Sequence, residues 1–332
     1  MATTIYDLAE AAGVSIATVS RALNDHYAVS EATKARIRAL AEEMDYRPNA
    51  RARSFARKKS GIVLFVTDLH RNVAFENPHM FEIMTGVSRC LEEKNYAMLL
   101  RHVTAKDAPT VLHDLMRREE ADGVIVHAGI LTHALAVTLA HLPLPHLVLG
   151  QPDFPTLLCW MDINHEQAGQ QAANYLLDKG YRRMVFLMGD RESDRISLAR
   201  RKGMLETFAE EDLSFTTLYG DSSYESGLSL AMEALRLEER PEIMLCTNNY
   251  LAMGCLQVLR QQNLRVPADI AIMTFDNYPF SMLTQPQLTA VEVDMYEMGQ
   301  EAARFLMRKI RNPLLQTQSF CTIPRIVERD ST

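Results

Sequence analysis

Apolar positions in the first 46 residues recur at helical spacing in three short runs separated by turn-forming residues. Thr4 to Ala11 puts Ile5, Leu8 and Ala9 on one side of a short amphipathic helix, and Gly13 permits a tight turn after it. Ser15 can then cap a second helix, Ile16 to Leu23. Its Val19 and Leu23 face inward while Ile16, Ala17 and Arg21 project together. After Asn24-Asp25-His26, Ser30 can cap a third helix to about Met44, with Ala32, Ile37, Leu40, Ala41 and Met44 as its core face. The pattern predicts an all-α module built on a helix-turn-helix. From Gly61 the text changes to short apolar runs alternating with helical stretches. The runs are Ile62 to Val66, Ala97 to Leu100, Gly123 to Val126, His146 to Leu149, Val185 to Met188, Ile243 to Cys246 and Ile270 to Thr274. Such alternation predicts parallel sheets in doubly wound units, with ligand sites beyond the C-terminal ends of the strands. Two such units fit a chain of 332 residues.

Charge sharpens the boundary between the two parts. Residues 1–60 hold ten Lys/Arg against seven Asp/Glu, leaving 25 basic and 35 acidic residues in the remainder. Arg47, Arg51, Arg53, Arg57, Lys58 and Lys59 form a stretch free of acidic residues, which suits a module that gains affinity by displacing counterions from phosphates. A solvated basic linker is the alternative reading of that stretch alone. Cys90, Cys159, Cys246, Cys255 and Cys321 are far apart in sequence, odd in number and without a C-x-x-C pair, so they read as reduced core thiols rather than a disulfide framework or metal site. The start resembles no secretory signal. The most apolar stretch, Leu131 to Gly150, is broken by His133, His141, Pro143, Pro145 and His146, so no membrane helix and a cytoplasmic location are expected.

Ile5-Tyr6-Asp7-Leu8-Ala9-Glu10-Ala11-Ala12-Gly13-Val14-Ser15, then Thr18-Val19-Ser20-Arg21, Val29-Ser30, Tyr46-x-Pro48-Asn49 and Ala52-Arg53-Ser54 together closely resemble the LacI/GalR family of bacterial repressors. A looser resemblance runs to Pro324-Arg325-Ile326-Val327-Glu328-Arg329. It implies an α+β multidomain chain: an all-α helix-turn-helix headpiece (1–46), a hinge helix and linker (47–60), and a two-lobed α/β regulatory domain (61–332) like periplasmic binding proteins. The N-lobe is expected over about 61–162 and 295–320, and the C-lobe over about 163–294 and 321–332, with crossings near Asp162, Asp294 and Phe320.

The resemblance also implies roles. Ile16, Ala17 and Arg21 would read bases in the major groove. Arg can fork onto guanine O6 and N7, while Ile and Ala offer apolar contact to a thymine methyl. Tyr6, Ser15, Thr18, Ser20, Asn24 and Ser30 would hold phosphates, which positions the module without specifying sequence. Asn49, Ala52, Arg53 and Phe55 belong to a hinge helix expected to order on DNA in the minor groove. Phe55 stands where the family has a wedging Leu. The partners implied are pseudo-palindromic double-stranded operator DNA, a small-molecule effector and a second copy of the chain. No heptad extension follows Arg329, so a dimer is expected. Neither a cofactor nor a metal is implied.

For the effector, Arg200 in Arg200-x-x-Gly203, Asn248 after the run Ile243 to Cys246, and Asp276 in a Phe-Asp pair match positions the family uses, and each sits where a ligand side chain would project. An Arg and an Asp converging on vicinal hydroxyls suit a sugar or sugar derivative. His79, Met80, Asp162 and Ser222 are secondary candidates. Asp162 is expected at a hinge, and core packing is the alternative for Met80. Three departures weigh against a simple sugar site: Thr274 for the usual Gly, Asn249 for the usual Asp, and Ser222 where an aromatic wall is common, leaving Tyr224 or Trp160 to supply stacking. The loop Thr67 to Glu76 also looks longer than usual. A nucleoside, a sugar phosphate or a protein corepressor therefore stays open as the controlling partner. A transport solute-binding protein and an enzyme are the remaining classes. No phosphate-cradling Gly motif follows an expected strand and no nucleophile elbow is present. His127, His133 and His141 read as loop and helix-surface residues.

Overall fold

The computed structural model describes residues 3–332 apart from 24, 47–58, 72–77, 119, 191–193, 278–279 and 316. The chain divides into two compact units, the first formed chiefly by the residues up to Gly61 and the second by those from Ile62 onward.

The first unit holds α1 (Ile5–Ala12), α2 (Ile16–Leu23) and α3 (Glu31–Glu43). Thr4 caps α1 through a capping box with Asp7, and Gly13 closes it at φ +62°, a left-handed value that a residue without Cβ adopts at no cost. Leu8, Val19, Ala22 and Ile37 are fully buried in one small core. Ala32, expected on that core face, is exposed. The inward position of α3's first turns is taken by Lys34, whose ammonium lies 2.6 Å from Glu31 and 3.8 Å from Asp25. The stem of a lysine can line a core while its head stays paired.

The second unit contains two six-stranded sheets among the described residues. The N-lobe sheet is built from β1 (Ile62–Thr67), β2 (Ala97–His102), β3 (Gly123–His127), β4 (His146–Leu149), β5 (Trp160–Ile163) and β11 (Phe320–Thr322), in the order β11-β5-β4-β3-β1-β2, all parallel. The C-lobe sheet uses β6 (Met184–Met188), β7 (Thr216–Tyr219), β8 (Ile243–Cys246), β9 (Ala271–Thr274), β10 (Thr289–Glu292) and β12 (Arg325–Val327), in the order β12-β10-β9-β8-β6-β7. Only β12 is antiparallel to its neighbour. Each sheet reverses strand order beside its first strand, which opens a crevice at the C-terminal ends.

Helices cover both faces. In the N-lobe these are α4 (Pro78–Glu92), α5 (Ala108–Arg117), α6 (His133–His141) and α11 (Met295–Arg311). In the C-lobe they are α7 (His165–Asp178), α8 (Arg195–Ala209), α9 (Tyr224–Ala234) and α10 (Asn249–Gln261). The chain passes between the lobes three times: after β5, after β10, and between β11 and β12. The last passage falls at Ile323–Pro324, a few residues beyond the expected position near Phe320, because Cys321 and Thr322 pair with Asp162 and Ile163. The run Ala97 to Leu100 is a strand but not a buried one. As the edge strand it leaves Leu99 and Leu100 about two-fifths exposed. Cys246 and Cys255, nine residues apart, are brought to an Sγ···Sγ distance of 3.7 Å; all five cysteines are free.

Helices α7 and α8 approach so closely that a Cβ on Gly169 would lie 1.9 Å from the Arg200 carbonyl oxygen, and one on Gly203 1.9 Å from that of Glu166. This contact presses α8, and with it Arg200, against α7. Gly169→Ala is expected to lower the unfolding free energy by about 1–3 kcal/mol through overpacking, although Ala is the better helix former by about 1 kcal/mol. Urea denaturation measures it; unchanged or raised stability would show that the helices separate freely.

Candidate functional site

Two places gather the residues singled out in the sequence. In the first unit, Ser15 caps α2: its hydroxyl accepts from the Thr18 amide at 3.2 Å and lies 2.9 Å from the Thr18 hydroxyl. Val19 and Ala22 anchor the inner face of the helix. The opposite face presents Ile16 at 38% exposure together with exposed Ala17 and Arg21. An apolar residue left in water beside a guanidinium on a firmly capped helix is a surface prepared for contact. Tyr6, 68% exposed, stands on α1, and Ser30 caps α3 through the Thr33 amide at 3.3 Å. Ser20 is half-buried on α2. Asn24 and the hinge residues Asn49, Ala52, Arg53 and Phe55 lie outside the described residues.

In the second unit, the cleft between the lobes is organised around Arg200. α8 starts at the Asp194 cap, whose carboxylate accepts from the Ser197 amide at 3.0 Å and the Ser197 hydroxyl at 2.6 Å. One and a half turns on, Arg200 is 8% exposed. Its Nη1 donates to the Thr247 carbonyl at 2.9 Å, its guanidinium lies 4.7 Å from the Phe275 ring centroid, and its Nε has no hydrogen-bond partner among the described residues. Burial pulls the guanidinium below its ordinary range, while Asp276, Asp194 and Asp162 pull the other way. A buried donor without an acceptor costs about 1–3 kcal/mol, so this Nε–H is poised for an oxygen from outside.

Asp276 follows β9. Burial works against its ionisation, but facing His79 and Arg200 and accepting from the Asn249 amide hold it below the usual carboxylate range. His79 Nε2 is 3.2 Å from Asp276 Oδ1, within ion-pair distance although not aligned as a hydrogen bond, so a residue of the N-lobe helix α4 meets one of the C-lobe. Burial lowers the affinity of His79 for its proton, and the Asp276 carboxylate more than offsets this. Asn248 caps α10, accepting from the Leu251 amide at 2.9 Å, which leaves its side-chain NH2 as the group to offer. Asn249, in place of the usual Asp, accepts from the Ser281 hydroxyl at 2.7 Å and so serves as a buttress.

The secondary candidates separate. Met80 is 4% exposed inside the N-lobe core, packed with the residues of α4 and α11, the core-packing reading of the two the sequence offered. Asp162 accepts from the Gln151 and Ile163 amides, each at 2.7 Å, and lies 3.7 Å from His165 Nε2, so it braces the first passage between lobes. Ser222 and Asp194 fill the space that Gly189 leaves open: a Cβ on Gly189 would lie 2.8 Å from the Ser222 hydroxyl and 2.5 Å from an Asp194 oxygen. Tyr224 lines a different groove, with Met253, Leu256 and Leu283, and is no wall for this cleft. A cavity of about 170 Å³ at the interlobe passages is lined by His79, Arg200, Phe275, Asn277, Asp294 and Tyr296, among others.

Sequence reasoning missed Phe275 as the shelf for Arg200, Asp194 and Thr247 as its supports, and His165, whose Nδ1 is buried without a partner among the described residues. Their signal was positional: polar residues at a helix cap, at the end of a buried strand, or just past a lobe crossing. His127, read as a loop or surface residue, ends β3 half-buried, and burial lowers its proton affinity.

Residues 4–49 match the family model described as bacterial regulatory proteins, lacI family, and residues 173–332 match that of a periplasmic binding protein-like domain. Catabolite control protein A of Priestia megaterium is 29% identical over 337 residues, spanning 100% of both chains. The ribose operon repressor of Escherichia coli (strain K12) is 28% identical over 344 residues, 99% of each chain. A crystal structure of the Lac repressor dimer bound to operator and the anti-inducer ONPF superposes with a TM-score of 0.81 at 25% identity, covering 100% of this chain and 99% of that one.

Burial works against ionisation of Asp162 too, yet its pairing with His165 and the two amides depress its proton affinity. Its contribution to stability is therefore present above about pH 4, the unfolded value, and is lost as pH falls through the lower folded value. The stability gap between the natural chain and Asp162→Asn is expected to shrink from about pH 6 to about pH 3, read by urea denaturation. A gap that stays constant would place the carboxylate in water.

Proposed function

Because the chain belongs to the LacI/GalR family of bacterial transcriptional regulators, we propose that it works as a homodimeric repressor whose grip on a pseudo-palindromic operator is set by a sugar or sugar derivative between its lobes. It regulates by binding and is not an enzyme. The observation that carries the reading is the α2 face, where Ile16, Ala17 and Arg21 stand exposed on a helix capped by Ser15. Arg21 reads a guanine and the apolar pair a thymine methyl. Tyr6, Ser15, Thr18, Ser20, Asn24 and Ser30 grip phosphates, and Asn49, Ala52, Arg53 and Phe55 enter the minor groove at the centre of the site.

Two copies fit the surface of the second unit. Phe81, Leu99 and Leu100 of the N-lobe and Met282 and Leu283 of the C-lobe are large apolar side chains between 39% and 78% exposed, and covering them against a second copy would be favourable. In the cleft, Arg200, Asn248 and Asp276 hold the effector. The ligand moves the equilibrium by its difference in affinity for two lobe arrangements. The protein acts in the bacterial cytoplasm, on the nucleoid.

The DNA reading is tested by selecting binding sites from a random duplex library and measuring affinity by fluorescence anisotropy over a salt series. Arg21→Ala is expected to lose about 1–3 kcal/mol at one base pair and little on random DNA. An equal loss on every sequence would move Arg21 to the phosphates. For the cleft, a thermal-shift screen of pentoses, hexoses, disaccharides and nucleosides is expected to yield a ligand that adds about 2.7 kcal/mol at 100 times its Kd. That stabilisation should vanish in Asp276→Ala, which keeps DNA binding; a shift that survives the substitution removes Asp276 from the site.

A further inference from the structure

Asp276 already has a partner supplied by the opposite lobe. His79 is the second residue of α4, and the next residues inward, Met80, Ile83 and Met84, are buried in the N-lobe core, so the imidazole moves with that lobe. Asp276 is fixed to the C-lobe just as firmly: its amide donates to the Thr274 hydroxyl at 3.4 Å, its carbonyl oxygen lies 2.5 Å from the Ser281 hydroxyl, and its carboxylate accepts from the Asn249 amide. The 3.2 Å approach of Nε2 to Oδ1 therefore spans the cleft, with both side chains only about one-fifth exposed. A second bridge, Arg195 Nη1 to the Asp153 carbonyl at 3.3 Å with the two side chains' charged groups 3.7 Å apart, also joins the lobes, but its partners are 66% and 52% exposed and it adds little. The charged groups facing His79 are Asp276 beyond β9, Arg200 on α8 and Glu82 on its own helix.

We propose that His79 is an internal competitor for the effector carboxylate: it latches the lobes through Asp276, and only a ligand that presents hydrogen-bond donors to that carboxylate, a hydroxyl pair or an ammonium, can take its place. The identification of the ligand rests on Asp276 being the effector carboxylate, as above; the latch itself does not. An imidazolium on a carboxylate can be replaced by another donor but not by a phosphate or carboxylate, whose like charge repels Asp276. Arg200 does not reverse this, because Asp276, Asp194 and Asp162 all act on it. The contact also makes closure depend on protons. The latch is complete below the unfolded histidine value of about 6.5 and weakens as pH rises through the higher folded value, so the effector should bind more tightly in mildly alkaline solution.

The test is a double-mutant cycle on the full chain, His79→Gln, Asp276→Asn and both together, followed by urea unfolding at about pH 5.5 and about pH 8.5, with His79 titrated by NMR. At the lower pH each single change is expected to lower the unfolding midpoint and the double change to lower it no further; at the higher pH His79→Gln should be silent. The His79 titration should fall to lower pH in Asp276→Asn. Additive losses at both pH values, or an unmoved His79 titration, overturn the latch. The ligand requirement is read by thermal shift at about pH 6 and pH 8 with D-ribose against D-ribose 5-phosphate, and D-glucose and D-glucosamine against D-glucose 6-phosphate. Stabilisation by unphosphorylated members, larger at the higher pH and pH-independent in His79→Gln, supports it. Stabilisation by a phosphorylated member alone, lost in Asp276→Asn, overturns it. Intact coupling with no compound shifting the melt upholds the latch and counts against the sugar reading alone.

Discussion

A guanidinium cannot be withdrawn from water without replacements for what water gave it, and the cleft of this protein is arranged around that requirement at Arg200. The Thr247 carbonyl takes one donor, the Phe275 ring covers the plane, and three aspartates supply opposite charge from separate elements. Asp194 travels with α8 as its cap, whereas Thr247, Phe275, Asp276 and Asp162 belong to other elements and meet the arginine where α8 lies close against α7. The paired glycines 169 and 203 remove the side chains that would hold the helices apart, and Asp194 fixes where α8 begins. The site is thus a product of helix packing as much as of the residues that face the ligand.

The two units divide the chemistry cleanly. The first is the basic part of the sequence, with most of its positive charge in the stretch 47–59, and exposes Ile16 and Arg21 on a short, capped helix, so its affinity depends on counterions and its selectivity on a few side chains. The second buries its central strands and sets the charged groups of its cleft against opposite charges. Where one of those pairs spans the lobes, as His79 and Asp276 do, the same contact serves packing and response.

Much of this was readable in the sequence because the forces involved are local. Helix α2 and strands β4 and β8 begin and end where apolar spacing and the adjoining residues said they would. The strands Thr216–Tyr219, Thr289–Glu292, Phe320–Thr322 and Arg325–Val327 had no such signature, since three or four mixed residues become strands only when a neighbour offers a ladder to join. Ala32 fails as a core residue because Lys34 occupies the inward position with its head paired. Arg200, Asn248 and Asp276 were singled out by the family resemblance, with Asn248 and Asp276 also standing after recognisable strands. The His79 to Asp276 contact depends on how two lobes close, which no window of sequence contains. The environment of His165 is hidden for the same reason.

The three passages between the lobes carry a mechanical consequence. One strand between two bodies permits bending, twisting and sliding alike. Three segments side by side, each anchored to a ladder in at least one lobe, share any load: rotation about the line joining them needs only small changes in backbone angles, whereas a twist or a slide must lengthen at least one peptide segment whose Cα spacing is fixed near 3.8 Å. The lobes are accordingly confined to something close to a single degree of freedom. Whatever binding energy a ligand releases in the cleft is delivered as angle, along a path the covalent chain has already chosen.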